Sequence, residues 1–185
     1  MSLYLLEIRI EPTDRPAVER LIADVAEAVR SAGGEVVESQ VTGTFERIFT
    51  VVEAASAESV ATAVTAAVAE GRPPRSYAVT GPDEVRLVGA DLEEVKAARP
   101  EAGYLVEWDL PAELDMESYL ARKKANAPKY AEVPEVSFLR TYVREDMAKC
   151  LCLYDAPDEE AVRRARKAVQ APVDRLHALD GGHEG

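Results

Sequence analysis

Two stretches of this chain, Leu3 to about Gly89 and Gly103 to about Asp180, set out the same order of elements. The first opens with the strand-like run Tyr4-Leu5-Leu6-Glu7-Ile8-Arg9-Ile10 and the second with Tyr104-Leu105-Val106-Glu107-Trp108-Asp109-Leu110, so Tyr4 and Glu7 recur 100 residues later. Glu35-Val36 matches Glu135-Val136, and Val51-Val52-Glu53-Ala54 matches Leu153-Tyr154-Asp155-Ala156 once the offset has grown to 102. The two extra residues are expected in a hairpin turn, where insertions cost little. Units of equal length and matched order point to an internal duplication rather than two unrelated domains sharing a common pattern.

Within the first copy, Val18, Leu21, Ile22, Val25, Ala28 and Val29 recur with helical spacing between the Pro12–Pro16 turn and the stop at Gly33-Gly34. Residues 35–42 and 45–53 carry β-branched side chains on either side of Thr42-Gly43-Thr44 and predict a hairpin. Alanine-rich residues 57–70 predict a second helix, broken by Arg72-Pro73-Pro74-Arg75, with the last strand at Ser76–Thr80 or at Val85–Val88. The second copy repeats this with a helix near Met116–Ala127, a hairpin over Val136–Tyr154, a helix over Asp158–Val169 and a strand near Arg175–Leu179. Asp91–Arg99 reads as a connecting helix with solvent-facing charges, stopped by Pro100, and Gly181–Gly185 as a loose tail.

The order β-α-β-β-α-β is the ferredoxin-like split unit. The expected fold class is therefore α+β, with copies at 1–89 and 103–180, a linker helix at 90–102 and a tail at 181–185. Helices cover one face of such a sheet, and these strands are apolar on both faces. The tandem repeats are thus expected to pack sheet to sheet as an intramolecular pseudo-dimer of the dimeric α/β-barrel type, enclosing a cavity.

The formal net charge of −12 is spread evenly, with 10 basic and 17 acidic residues in positions 1–100 and 12 and 17 in the rest. An even acidic surface argues against nucleic acid and anionic membrane as partners. No segment is long and apolar enough to span a bilayer. Cys150 and Cys152, the only cysteines, stand at i and i+2 of one strand, about 6.6 Å apart at Cα and poorly placed for a disulfide. A reducing cytoplasm is the natural expectation.

From Tyr104 onward, four segments resemble a known family: Tyr104-Leu105-Val106-Glu107, Phe138-Leu139-Arg140-Thr141-Tyr142-Val143, Lys149-Cys150-Leu151-Cys152-Leu153-Tyr154-Asp155-Ala156-Pro157, and Pro172-Val173-Asp174-Arg175-Leu176. The family is the nickel-binding-protein-like one, also called domain-of-unknown-function family 4242. The resemblance covers the C-terminal half, and the first half reads as a diverged ferredoxin-like copy. It implies a ferredoxin-like protein that dimerises, hence a homo-oligomer, and a divalent transition metal such as nickel as candidate cofactor. This chain departs from the metal-binding pattern in having only His177 and His183, whereas imidazole sites usually gather several histidines.

Cys152, the family cysteine, and His177 are the weak candidate metal ligands; the favoured reading of each is a packed side chain, with Cys152 a small apolar filler of a central strand. Glu107, Arg140 and Tyr142 are the candidate catalytic set: a carboxylate, a guanidinium and a phenol on neighbouring strands could act as base, anion anchor and proton donor. A buried Glu107–Arg140 ion pair with a hydrogen-bonded Tyr142 is the competing structural account. Glu7, Asp109, Trp108 and Tyr154 are candidate ligand-binding residues, with Trp108 read first as a helix-side core residue. Glu7 mirrors Glu107, while Gln40 and Thr42 are expected in place of Arg140 and Tyr142. Asp146 and Lys149 read as turn residues, and Arg163, Arg164, Arg166 and Lys167 as a solvated helix face.

These features suggest a cytosolic protein that binds a small molecule or metal ion. A cofactor-free isomerase, cyclase or lyase using Glu107 as base is the alternative, and a structural or regulatory protein without ligand is the third.

Overall fold

The computed structural model describes residues 1–69, 76–98 and 101–180, with the side chains of 76 and 77 left aside. The expected helix break at 72–75, the Pro100 stop and the 181–185 tail lie outside the described residues. Two compact units emerge: Met1–Val85 with Glu93–Arg99, and Arg86–Leu92 with Pro100–Gly185. The fold class is α+β, as expected, with eight strands and five helices among the described residues.

The first unit runs β1 (Ser2–Ile10), α1 (Arg15–Ser31), β2 (Glu35–Val41), β3 (Arg47–Ala54), α2 (Ala57–Ala69) and β4 (Ser76–Val88), followed by α3 (Leu92–Ala98). Its strands lie in the order β2-β3-β1-β4, all antiparallel, which is the ferredoxin-like arrangement. The Asp14 side chain caps α1 by accepting from the Ala17 N–H at 2.9 Å, and Pro16 sits in the first turn, where its missing donor costs nothing. The α1 stripe of Val18, Leu21, Val25 and Val29 buries against Tyr4, Leu6, Ile8 and Ile10 of β1. Each such large apolar side chain contributes about 1.5–3 kcal/mol on burial.

The last strand of this copy is one 13-residue element that embraces both expected alternatives. The linker helix also differs from its reading as a solvated segment. Val95 is buried, and Lys96 turns onto the sheet to pair with Glu35 and Glu53.

The second unit runs β5 (Tyr104–Asp109), α4 (Met116–Asn126), β6 (Ser137–Arg144), β7 (Lys149–Asp155), α5 (Glu159–Ala168) and β8 (Arg175–Ala178), in the order β6-β7-β5-β8. Asp115 and Asp158 cap α4 and α5 by accepting from Ser118 and Ala161 N–H at 2.7 and 2.8 Å. The expected helix to Ala127 stops at Asn126 and tightens into a 3-10 segment over Ala127–Glu132, where Pro128 cannot donate to a continuing helix. After β4, Gly89 has φ +88, and a Cβ there would stand 2.6 Å from Phe138 Cε1, so only glycine fits.

Strand register locates the insertion between the copies. Leu5 faces Val51 and Leu105 faces Leu153, while Val36 faces Val52 and Phe138 faces Tyr154. The offset is therefore 100 in the first strand and already 102 in the second. The two extra residues lie in the α4 and 3-10 connection before β6, not in the hairpin turn. Both hairpins carry a register shift at the same place, between Val36 and Glu38 and between Phe138 and Arg140. By this register the counterparts of Arg140 and Tyr142 are Glu38 and Gln40, which corrects the expected Gln40 and Thr42.

Candidate functional site

Period-two alternation in β5 and β7 divides the candidate residues between two faces of the second unit. Tyr104, Val106 and Trp108 stand opposite Tyr154, Cys152 and Cys150, and these six join the core under α4 and α5. Leu105, Glu107 and Asp109, opposite Leu153, Leu151 and Lys149, point to the other face, where β6 adds Arg140 and Tyr142 and β8 adds Arg175 and His177. Glu7 belongs to the first unit and pairs with Arg47 at 3.2 Å.

Glu107, fully buried, is the hub of the helix-free face. Its Oε1 accepts from Lys149 Nζ at 2.9 Å, and its Oε2 accepts from Arg175 Nε at 2.9 Å and lies 2.7 Å from His177 Nε2. Arg175 also grips Asp109, and that contact holds the Asp109 carboxyl below its usual range. Lys149 is thus a partner of Glu107 rather than a turn residue. Asp146 does serve the turn, accepting from Arg144 and from Ala148 N–H. Arg140 and Tyr142 share this face and are buried, but β7 runs between them and β5, with Tyr142 and Glu107 both opposite Leu151.

The helix-covered face holds a cavity of about 40 Å³, lined in part by Trp108, Tyr119, Arg122, Lys123, Cys152 and Arg166. Such a volume exceeds the space of one water. Its floor centres on Arg166, which is 2% exposed. Arg166 Nη1 lies 3.3 Å from Cys152 Sγ and donates to Tyr154 Oη at 3.1 Å, while Nη2 donates to the Pro172 carbonyl at 2.6 Å. Its buried Nε–H has no acceptor among the described residues. Burial opposes the charge on Arg166, but Cys152 and Tyr154 outweigh it and the guanidinium stays protonated.

Cys152 also accepts from Thr141 Oγ1 at 3.2 Å, and its sulfur is 4.0 Å from that of Cys150. Hydrogen bonding from Cys150 first, then Arg166 and Lys123, hold the Cys152 thiol well below its ordinary range; Cys150 is pushed up and remains the thiol. Burial pushes Tyr130, whose hydroxyl meets Tyr154 Oη at 2.7 Å, up to about 12. At the cavity mouth Arg122 lies over Trp108, 5.5 Å from the ring centroid, and Lys123 Nζ lies 4.2 Å from the Phe138 centroid.

The structure therefore separates what the sequence grouped. Glu107, Asp109, Arg140, Tyr142 and His177 occupy one face; Trp108, Cys152 and Tyr154 occupy the other. Arg166 overturns the expectation of a solvated helix face, whereas Arg163, Arg164 and Lys167 are exposed as expected. A signal existed: Ala161, Val162, Ala165 and Val169 form the buried stripe of α5, and Arg166 falls within it. Arg122, Lys123 and Tyr119 gave no comparable signal, because their convergence depends on how α4 lies over β5.

Residues 104–179 match the family model described as nickel responsive protein SCO4226-like. The match bears out the nickel-related resemblance of the second half and extends from the start of β5 to just past β8. No curated protein matches the sequence. Among solved structures, the fold is similar to that of a putative chlorite dismutase, TA0507, at 12% identity over 98% of this chain and 96% of that one, with a TM-score of 0.54. At that identity the likeness shows the fold alone. A microcompartment protein from Desulfitobacterium hafniense DCB (12% identity, 97% and 94% covered, TM-score 0.35) and a putative monooxygenase from Fusobacterium nucleatum subsp. nucleatum (11%, 96% and 90%, TM-score 0.47) are fainter likenesses.

Proposed function

We propose that this is a small-ligand-binding protein whose second unit receives a small anion in the cavity over Arg166. One observation carries the reading: a guanidinium that is 2% exposed lines a cavity, pairs with no carboxylate among the described residues, and keeps an unused Nε–H. Arg122 and Lys123 bring the cationic side chains at this cavity to three, in a chain with 34 acidic residues against 22 basic ones. Cys152, its thiol held below the ordinary range, lines the cavity beside these three cations. Gathering three cations at one partly enclosed cavity is costly even where one of them has polar partners, and a bound anion offsets that cost.

Trp108 and Tyr119 form the apolar wall, with ring centroids 6.0 Å apart. A ligand with a flat or polarisable surface would pack there, while the cations fix its charge. The nickel description of the matched family suggests a metal instead, but the donor set does not suit one. No group of three or more His, Cys, Asp or Glu side chains converges among the described residues, and three cations beside Cys152 oppose a divalent ion.

The reading of Glu107 as a general base has weaker support, because both its oxygens already accept from cationic donors. Calorimetric titration of the purified protein with phosphate, sulfate and nitrate tests the proposal. One site per chain is expected, weakened by Arg122→Ala with Lys123→Ala. Equal binding by that variant, or binding of nickel but of no anion, would reject it.

A further inference from the structure

We infer that Cys152 is a peroxide-reactive thiolate, oxidised to the sulfenic acid by a small hydroperoxide admitted to the Arg166 cavity. The inference shares the cavity with the anion reading but does not depend on it. It starts from two donors converging on one sulfur, Arg166 Nη1 at 3.3 Å and Thr141 Oγ1 at 3.2 Å, with the Cys150 sulfur 4.0 Å away. A structural core cysteine needs neither donor. An anionic sulfur takes both, because charge-assisted donors favour the ionised form.

The second, independent observation is the unpartnered Nε–H of Arg166, buried in the same cavity that Cys152 lines. Peroxide chemistry gives that donor a use. The Cys152 thiolate attacks one oxygen of the hydroperoxide; an S–O bond forms as the O–O bond breaks. Sulfur loses two electrons and the peroxide is reduced, its departing oxygen leaving as alkoxide or hydroxide. The negative charge passes from sulfur to that oxygen beside the Arg166 guanidinium, whose Nη1 already donates to the sulfur. The leaving oxygen takes a proton from water at the cavity mouth. A cavity of about 40 Å³ admits a molecule of hydrogen peroxide's size while excluding bulky oxidants.

Cys150 is the obvious partner for a following condensation, but strand geometry opposes it. Residues i and i+2 of one strand lie about 6.6 Å apart at Cα, at the far end of the range that disulfides span. The sulfenic acid is therefore the product that persists, open to reduction by an external thiol.

The test is the reaction of the full chain with hydrogen peroxide, followed by intact-protein mass and by trapping with dimedone. One added oxygen is expected, with the dimedone adduct mapped to Cys152, in both the wild type and Cys150→Ser. Cys152→Ser is expected to take up no oxygen under the same conditions. Thr141→Val and Arg166→Lys, each checked for folding by far-ultraviolet circular dichroism, are expected to slow the reaction about tenfold. A wild-type rate no greater than that of free cysteine at the same pH would overturn the inference, as would oxidation at Cys150 instead. The two readings fail separately: Cys152→Ser should lose the oxidation and still bind anions, so anion titration and dimedone labelling report on them independently.

Discussion

Arg166 lies within 3.3 Å of the Cys152 sulfur on a helix face that also buries Ala161, Val162 and Ala165. A cation set into an apolar stripe costs several kcal/mol of desolvation unless its surroundings compensate it. Here the compensation comes from a sulfur, a phenol and a carbonyl, with no carboxylate among the described residues.

Arg166→Met should therefore remove function without removing the fold. Methionine fills much of the same volume, and once the cation is gone the Cys152 sulfur keeps its proton, so no uncompensated charge is left in the core. Urea denaturation should give a midpoint equal to or above that of the wild type, while anion affinity falls at least about tenfold, the worth of a charged hydrogen bond. A large loss of stability would mean that the guanidinium is a structural tie.

Glu107→Gln should behave in the opposite way. The carboxylate is wholly buried among Lys149, Arg175 and His177, and its loss strands cations at the helix-free face. The expected cost is on the order of 2–3 kcal/mol, less than for a fully enclosed pair because Arg175 is 40% exposed. Chemical denaturation reads this directly. Unchanged stability together with a lost activity would restore Glu107 as a candidate base.

Acid should loosen the second unit. The carboxyls of Asp109, Asp146 and Glu135 are lowered by hydrogen bonds from Arg175, Arg144 and Arg164, and that of Asp115 by the Ser118 N–H it caps. A carboxyl lowered on folding adds stability that is present above its unfolded value, about 4, and is lost as pH falls through the lowered value. Trp108 fluorescence followed below pH 4 should report the loss. Added salt should reduce the dependence, since these groups are exposed.

Gly89→Ala should destabilise the chain by about 1 kcal/mol or more. It forces a Cβ into a positive-φ site and against the Phe138 ring, 2.6 Å away. Thermal unfolding measures the change; no shift would mean that the turn relaxes freely.

The βαββαβ order was legible because strand and helix periodicities differ and because the Pro12–Pro16 turn and Gly33-Gly34 mark helix boundaries. The offset was misplaced because Glu35-Val36 and Glu135-Val136 look alike, whereas pairing sets Glu35 against Glu53 and Ser137 against Asp155. Two-residue slips keep side-chain parity, so hydrophobic pattern alone cannot detect them. Glu107, Cys152 and Trp108 were visible as candidates, but grouping them required knowing which strand face each one takes. Arg166 was hidden among Arg163, Arg164 and Lys167, since a basic run on a helix normally faces water.

The account rests on an anion entering beside Trp108, the sole tryptophan and a wall of the cavity. Iodide titration of its fluorescence at constant ionic strength tests this most directly. Saturable quenching that phosphate reverses, and that Arg122→Ala with Lys123→Ala weakens, is the predicted result. Weak, linear quenching, identical in the wild type and the variant and unaffected by phosphate, would contradict it.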